Sequence, residues 1–140
     1  MKVESYLMFS GRCEEALNFY QTAIGAQTVM VMRFKDNPDP QHMPLPPNRS
    51  DKILNCGFML GQTLVMASDG ISIEKVDFSG VNLSIMADDE VQAKRMFDAL
   101  SVGGSVFMPI GKTFWSPYFG MCSDKFGVSW MVGTDSDFRG

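Results

Sequence analysis

Several features that would assign a protein to a class at once are missing from this sequence. No apolar stretch approaches the roughly 20 residues needed to cross a bilayer, and Lys2 and Glu4 stand where a signal peptide would be apolar. The chain has no run of Lys and Arg, and its net charge is −4, which argues against nucleic acid or an anionic membrane as the main partner. We therefore expect a cytoplasmic protein with neither nucleic acid nor membrane as a partner.

Cysteine and histidine are both scarce. The three cysteines, Cys13, Cys56 and Cys122, are widely spaced and form no Cys-x-x-Cys pair, so they predict reduced core thiols rather than a disulfide framework or a zinc ribbon. The single histidine is His42, and one imidazole cannot supply a site built from several histidines. The sequence therefore indicates neither cysteine-histidine catalysis nor a multi-histidine metal site.

The sequence does contain enough apolar residues for a core. The 140-residue chain is 45% hydrophobic, which suffices for one domain without disulfide or metal cross-links. Apolar residues at helical spacing predict a helix over 13–24 with Gly25 as its C-cap, and a second that begins after Asp88 or Asp89 and ends at Gly103-Gly104. Composition and alternation predict strands over 6–9, 28–34, 53–60, 63–67, 81–86, 105–108, 119–123 and 128–132.

The order of these elements repeats along the chain. A strand, a helix and three strands occupy the first half, and the same order returns in the second, where Phe97 and Gly103 keep the spacing of Phe19 and Gly25. The simplest architecture is α+β, a single domain over 1–140 composed of two βαβββ modules at about 1–69 and 80–140.

A Pro-rich segment over 35–51 interrupts the first module. Its five prolines cannot donate ladder hydrogen bonds and impose extended or turn geometry. A structureless loop of this length is unusual in a small domain and is typical of a lid, a binding loop or an oligomer arm.

Four segments carry a family signature when they are taken together. They are YLMFSGRCEEALNFY over 6–20, MASD over 66–69, KTFWSPYFG over 112–120 and DKFGVSW over 124–130. In order and spacing they resemble the PhnB-like branch of the glyoxalase and bleomycin-resistance superfamily, also called vicinal oxygen chelate. The resemblance implies two βαβββ modules that curl into a half-open mixed β-barrel, whose concave face binds a metal or a small molecule.

The resemblance also directs attention to the positions of metal ligands. Superfamily members place His or Glu on the first and last strands of each module, and the nearest residues here are Ser5 or Tyr6, Asn55, Asn82 or Ser84, and Met131. These side chains are poor ligands for divalent cations that prefer imidazole or carboxylate, so we expect no metal site and no cofactor. Tyr6, Asn55 and Ser84 would instead offer hydrogen bonds on the concave face; the alternative is that they are ordinary sheet residues with local partners.

Many PhnB-like proteins carry a label that suggests demethylubiquinone methyltransferase activity. No Gly-rich turn follows the first predicted strand, and Asp69-Gly70 is interpreted as a loop pair. The sequence therefore predicts no nucleotide-type methyl-donor site.

The segment over 112–118 is dense in aromatic side chains beside a cation. Trp115 and Tyr118 would provide flat apolar walls with polar edges, and Lys112 would neutralise a carboxylate or phosphonate on a ligand. The alternative is that the aromatic rings cover one end of the barrel and that Lys112 is solvated. Function tends to lie on loops held by a rigid scaffold, and the family resemblance favours the binding role.

These observations lead to a functional hypothesis with two alternatives. We expect a homodimer that binds a small, partly apolar organic molecule, including an anionic one, in the barrel groove, and we leave catalysis open. The first alternative is a divalent-metal-dependent lyase, isomerase or dioxygenase with atypical ligands; the second is protein association through sheet edges and the Pro-rich segment. Dimerisation is implied by the resemblance, and open sheets leave edges that a two-fold partner covers.

Overall fold

The computed structural model describes residues 1–42, 47–72 and 74–134 and divides into two compact units, Met1–Val76 and Asp77–Gly140. The first unit contains β1 (Tyr6–Met8), α1 (Cys13–Ile24), β2 (Gln27–Arg33), a 3₁₀ turn (Phe34–Asp36), β3 (Ile53–Leu60) and β4 (Thr63–Ser68). The second contains β5 (Asn82–Met86), α2 (Glu90–Ser101), β6 (Ser105–Gly111), β7 (Phe119–Ser123) and β8 (Ser129–Gly133).

Each unit folds its strands into one four-stranded sheet. The strand order is β1-β4-β3-β2 in the first and β5-β8-β7-β6 in the second, so the two units share one topology. The pairs β1–β4 and β5–β8 are parallel, with Tyr6 opposite Met66 and Ser84 opposite Met131, and the other pairs are antiparallel. Both sheets are therefore mixed, and neither closes on itself.

Helix α1 covers one face of the first sheet. Ala16, Leu17 and Tyr20 recur at helical spacing and are buried, and the Tyr20 ring stacks on Phe58 of β3 with centroids 6.0 Å apart. The helix ends at Gly25, whose φ of 71° is the left-handed conformation that glycine adopts without strain. The core of this unit thus lies between α1 and the sheet.

Helix α2 buries one face in the same way, with Ala93, Phe97 and Leu100 inside. Asp89 caps the helix, because its side chain accepts a hydrogen bond from the backbone N–H of Gln92 at 2.7 Å. Of the two neighbouring aspartates that the sequence left open, Asp89 is the cap.

A buried aspartate organises the turn between β7 and β8. Asp124 accepts hydrogen bonds from the backbone N–H groups of Phe126 at 2.9 Å and Val128 at 3.1 Å, and from the indole Nε1 of Trp130 at 2.9 Å. Its carboxylate therefore fixes the turn and the large indole of β8 together.

The predicted α+β class with two βαβββ modules is confirmed. Strand β6 is longer than expected and runs through Pro109 to Gly111, which the ladder tolerates because β6 is an edge strand. The predicted Pro-rich loop begins with the 3₁₀ turn, and its residues 43–46 lie outside the described residues, as do 135–140. That the two units form one domain stays a prediction.

In the part of the chain that the structure describes, no helix is long and apolar enough to cross a membrane.

Candidate functional site

The first unit contains a cavity of about 690 Å³, a size typical of small-molecule sites. Strands, the Pro-rich segment and the residues after β4 all contribute to its wall. The lining residues are Tyr6, Met8, Ser10, Met32, Phe34, Asn37, Asp39, His42, Leu54, Asn55, Ser68, Asp69, Gly70, Ile71 and Ser72.

Strand alternation places the polar and thioether groups of the sheet in this cavity. On β1, Tyr6 and Met8 are about half exposed, whereas Leu7 between them is buried. Asn55 of β3 receives a hydrogen bond from the Tyr6 hydroxyl at 3.3 Å and lies opposite Met32 in the β2–β3 ladder. Burial raises the pKa of Tyr6, so its hydroxyl stays protonated at neutral pH and remains a donor.

Part of the wall comes from the Pro-rich segment. Asp39 and His42 are joined by a contact of 2.6 Å between Asp39 Oδ2 and His42 Nδ1, and the backbone N–H of Asp39 donates to Asn37 Oδ1 at 2.9 Å. This local turn presents a carboxylate and the single imidazole of the chain to the cavity.

Another part of the wall, residues 69–72, is fixed by a buried arginine. The Arg49 guanidinium donates to the carbonyl oxygens of Asp69 at 3.1 Å, Gly70 at 3.1 Å and Ser72 at 2.7 Å. Arg49 is only 7% exposed, and a guanidinium has five N–H donors in a rigid fork. Arg49 therefore holds these residues in a defined conformation.

The Asp69 side chain connects three parts of the first unit. Its Oδ1 accepts from the N–H of Cys13, the first residue of α1, at 2.8 Å, and its Oδ2 accepts from the N–H of Ile53, the first residue of β3, at 2.7 Å. The sequence predicted a loop residue here, which is correct, but gave no sign that this carboxylate caps a helix from a distant position.

Two buried thiols lie between α1 and the sheet. The sulfur atoms of Cys13 and Cys56 are 3.7 Å apart, and Cys122 in the second unit is also buried and free. The hydrogen bond between them raises the pKa of Cys13 and lowers that of Cys56. The prediction of core thiols is correct, although wide sequence spacing did not reveal that two of them meet.

The six predicted site residues are divided between the two units. Tyr6 and Asn55 meet in the cavity of the first unit. Ser84 lies exposed on β5 of the second unit. The loop between β6 and β7 carries the others: Lys112, which is exposed, and Trp115 and Tyr118, which are half-buried.

Packing within the second unit accounts for part of this aromatic loop. The Trp115 ring lies edge-on to Phe114 at 4.7 Å and to Phe119 at 5.4 Å between centroids. Ser116 is buried, and its hydroxyl donates to the carbonyl of Tyr118 at 3.1 Å. Binding by this loop stays a prediction.

Sequence reasoning missed the cavity's polar rim. Asp39 and His42 were not singled out as contacts, and neither were the thioethers of Met8 and Met32. The signal available was the unusual length of the Pro-rich segment, which predicted a binding loop, a lid or an oligomer arm without identifying its functional side chains.

The residues at the superfamily's metal-ligand positions do not fit a divalent metal. Tyr6, Asn55, Ser84 and Met131 supply a phenol, an amide, a hydroxyl and a thioether, whereas such ions prefer imidazole and carboxylate. Across 1–42, 47–72 and 74–134, no group of three or more His, Cys, Asp or Glu side chains is arranged to hold a metal ion.

The repeated βαβββ units with mixed sheets define a vicinal oxygen chelate fold. The fosfomycin resistance protein FosX from Mesorhizobium loti shares it, with a TM-score of 0.62 at 14% identity over 99% of this chain and 94% of that chain. A model of the family described as 3-demethylubiquinone-9 3-methyltransferase matches residues 1–133. The chain belongs to this family, the PhnB-like branch of the glyoxalase and bleomycin-resistance superfamily, so the resemblance found in the sequence is confirmed.

Three relatives document this membership. Protein YjdN from Escherichia coli (strain K12) is 30% identical over 141 residues, which cover 94% of each chain. The structure of PA1353 from Pseudomonas aeruginosa gives a TM-score of 0.83 at 36% identity, covering 96% of this chain and 98% of that one. A PhnB protein from Bacillus cereus gives a TM-score of 0.80 at 26% identity, covering 96% and 100%.

Proposed function

We propose that this protein binds a small, partly apolar organic molecule in the cavity of its first unit. The observation that carries the proposal is the cavity of about 690 Å³, in which Met8 and Met32 lie beside the hydrogen-bonded Tyr6 and Asn55. Mostly apolar walls with a few placed polar groups are typical of small-molecule sites, and methionine side chains adapt to ligands of different shape.

Turnover is a separate question from binding. If the protein acts by sequestration, a bound compound is recovered unchanged. The alternative is a lyase, isomerase or dioxygenase that uses a divalent metal, and it requires product that forms only when the metal is present. Incubating EDTA-treated protein and ligand with Mg²⁺, Mn²⁺, Fe²⁺, Ni²⁺ or Zn²⁺, followed by mass spectrometry, separates these outcomes.

The binding proposal is tested by filling the cavity. Met8→Trp adds a large ring at a side chain of the cavity wall that is 53% exposed, so the fold tolerates the change. A library of small aromatic compounds is screened by ligand-observed NMR and by thermal unfolding. A compound present at 100 times its Kd stabilises the native state by about 2.7 kcal/mol, and we expect Met8→Trp to abolish that stabilisation.

The matched control is Met86→Trp. Met86 is the methionine near the end of β5, the parallel edge strand of the second sheet, and is 42% exposed. We expect this variant to bind as the wild type does. A library without a single binder, or equal loss of binding in both variants, would contradict the proposal.

We further propose that the chain forms a homodimer. The edge strand β2 exposes Val29 (60%) and Val31 (41%), and the edge strand β6 exposes Val106 (49%) and Phe107 (65%). Apolar edge strands are pairing surfaces that native proteins usually cover. Light scattering after size-exclusion chromatography is expected to give twice the chain mass of 15.6 kDa; the mass of a single chain would contradict the proposal.

We propose a cytoplasmic location because the cysteines are free thiols. Cys13, Cys56 and Cys122 are free and buried, and thiols persist in reducing compartments. Cell fractionation tests this location, and recovery outside the cytoplasm would contradict it.

A further inference from the structure

The charge of the cavity wall indicates which compounds it selects. Among the described residues that line it, the titratable side chains are Tyr6, Asp39, His42 and Asp69, and none is Lys or Arg. Because Tyr6 stays protonated, the formal charges on the wall come from two carboxylates and the state of one imidazole. This composition differs from the cation-bearing site that the sequence predicted around Lys112.

The Asp69 carboxylate is already hydrogen-bonded within the protein. Both carboxylate oxygens of Asp69 accept backbone N–H groups, at 2.8 and 2.7 Å, and Asp69 is 1% exposed. The Arg49 guanidinium donates to the main-chain carbonyl of the same residue at 3.1 Å. Both oxygens of the Asp69 carboxylate are therefore engaged by backbone N–H groups, and almost none of this side chain is accessible to a ligand.

Three cations close in sequence to cavity residues have partners within the protein. Arg33 pairs with Glu14, Lys35 pairs with Asp51 at 2.9 Å, and the ammonium of Lys52 donates to the carbonyl of Gly11 at 2.8 Å. None of these three side chains lines the cavity.

Asp39 is the carboxylate of the wall that remains able to accept hydrogen bonds from a ligand. Its Oδ2 contacts His42 Nδ1 at 2.6 Å, and its Oδ1 accepts the backbone N–H of His42 at 3.4 Å. An ionised carboxylate offers about four acceptor positions, so two remain after both contacts. The side chain is 58% exposed, which leaves it accessible to a ligand, and the contact with His42 fixes its orientation.

We propose that the cavity selects small organic cations, in which an apolar body ends in an ammonium group and Asp39 supplies the countercharge. The inference deepens the proposed function and depends on it. The apolar body lies against Met8 and Met32, and the face of the Tyr6 ring is compatible with a nearby cation. The ammonium group donates to the open acceptor positions of Asp39.

The test compares three probes that share a skeleton and differ in charge: phenethylamine, phenethyl alcohol and hydrocinnamate. Kd is measured by NMR titration at low salt and about pH 8, where ordinary imidazoles are mostly neutral. We expect the amine to bind about threefold more tightly than the alcohol, and the carboxylate to bind most weakly, because one partly exposed ion pair changes affinity by a few-fold.

Two matched variants assign the preference to one side chain. Asp39→Asn is expected to reduce the affinity for the amine to that for the alcohol. Asp51→Asn removes the same charge from the same segment at a residue outside the cavity lining, and is expected to leave the preference intact. Circular dichroism and thermal unfolding verify that both variants are folded.

The outcomes separate the two proposals. Equal binding of the three probes, tightest binding of hydrocinnamate, or equal effects of Asp39→Asn and Asp51→Asn would overturn the charge inference while the cavity remains a binding site. The charge inference is also wrong if none of the three probes binds, while uncharged compounds of the library bind to the wild type and not to Met8→Trp. If no compound binds at all, both proposals are wrong.

Discussion

The two units share one topology, but their buried aspartates reach different distances along the chain. In the second unit Asp124 binds groups only two, four and six residues away, and Asp89 caps its own helix. In the first unit Asp69 caps α1 from 56 residues away and also holds the start of β3. The same strand order thus accommodates one unit held by local contacts and another held by distant ones.

The loops between the second and third strands also differ between the two units. Residues 37–52 follow the 3₁₀ turn in the first unit, whereas residues 112–118 suffice in the second. The longer loop provides Asp39 and His42 to the cavity and Arg49 to the wall behind it. Extra loop residues on an unchanged scaffold therefore supply the polar groups of the candidate site.

The largest expected loss of stability comes from removing the Asp69 carboxylate, which contacts residues distant in the chain. Asp69→Ala leaves the buried N–H groups of Cys13 and Ile53 without their acceptor, so we expect a loss of about 3 kcal/mol in the free energy of unfolding. Asp89→Ala, which removes only a local cap, is expected to cost about 1 kcal/mol. Urea denaturation measures both losses. Equal losses would show that the two kinds of contact are energetically alike.

Arg49→Met is expected to have the next largest effect. The variant keeps an apolar side chain of similar length but leaves three carbonyl groups without their donor, which we expect to cost about 2 kcal/mol. Residues 69–72 should also lose protection against hydrogen exchange, while α2 should not. Unchanged exchange at 69–72 would show that Arg49 does not hold this wall.

The buried thiol of Cys122 makes the stability of the second unit depend on pH. Burial raises the pKa of Cys122, so the unfolded chain releases this proton first as pH rises. The contribution of the Cys122 thiol to the free energy of unfolding is complete below the ordinary thiol pKa. It is lost as the pH rises from that value through the raised pKa of the folded state, at no more than about 1.4 kcal/mol per pH unit. Urea midpoints between about pH 7 and 10 should fall less steeply for Cys122→Ala; parallel curves would disprove the assignment.

The smallest expected effect concerns the aromatic loop. Lys112 is exposed, so Lys112→Met should change the free energy of unfolding by less than about 0.5 kcal/mol. If the loop binds anions as predicted, the variant should weaken the binding of phenylphosphonate about threefold. Lys125→Met, in the β7–β8 turn of the same unit, is the control. Equal effects of the two variants would remove the loop from consideration as a site.

Much of the fold could be predicted because its signals are local. Gly25 ends α1 and Asp89 begins α2 through contacts made within one turn of each helix. The strands predicted over 53–60 and 119–123 match β3 and β7. The site was harder to predict, since the six predicted residues were chosen from family positions and from aromatic density, and only Tyr6 and Asn55 meet in the cavity.

By itself the sequence determined the order of helices and strands, the two modules and the family. Tertiary structure decided that the Asp69 carboxylate caps α1, that Arg49 is buried against three carbonyl groups, and that His42 faces a cavity with Asp39. The physical reason is the range of the interactions. A helix end or a turn is selected by residues a few positions apart, whereas a buried carboxylate or guanidinium acquires its partners only when segments distant in the chain pack together.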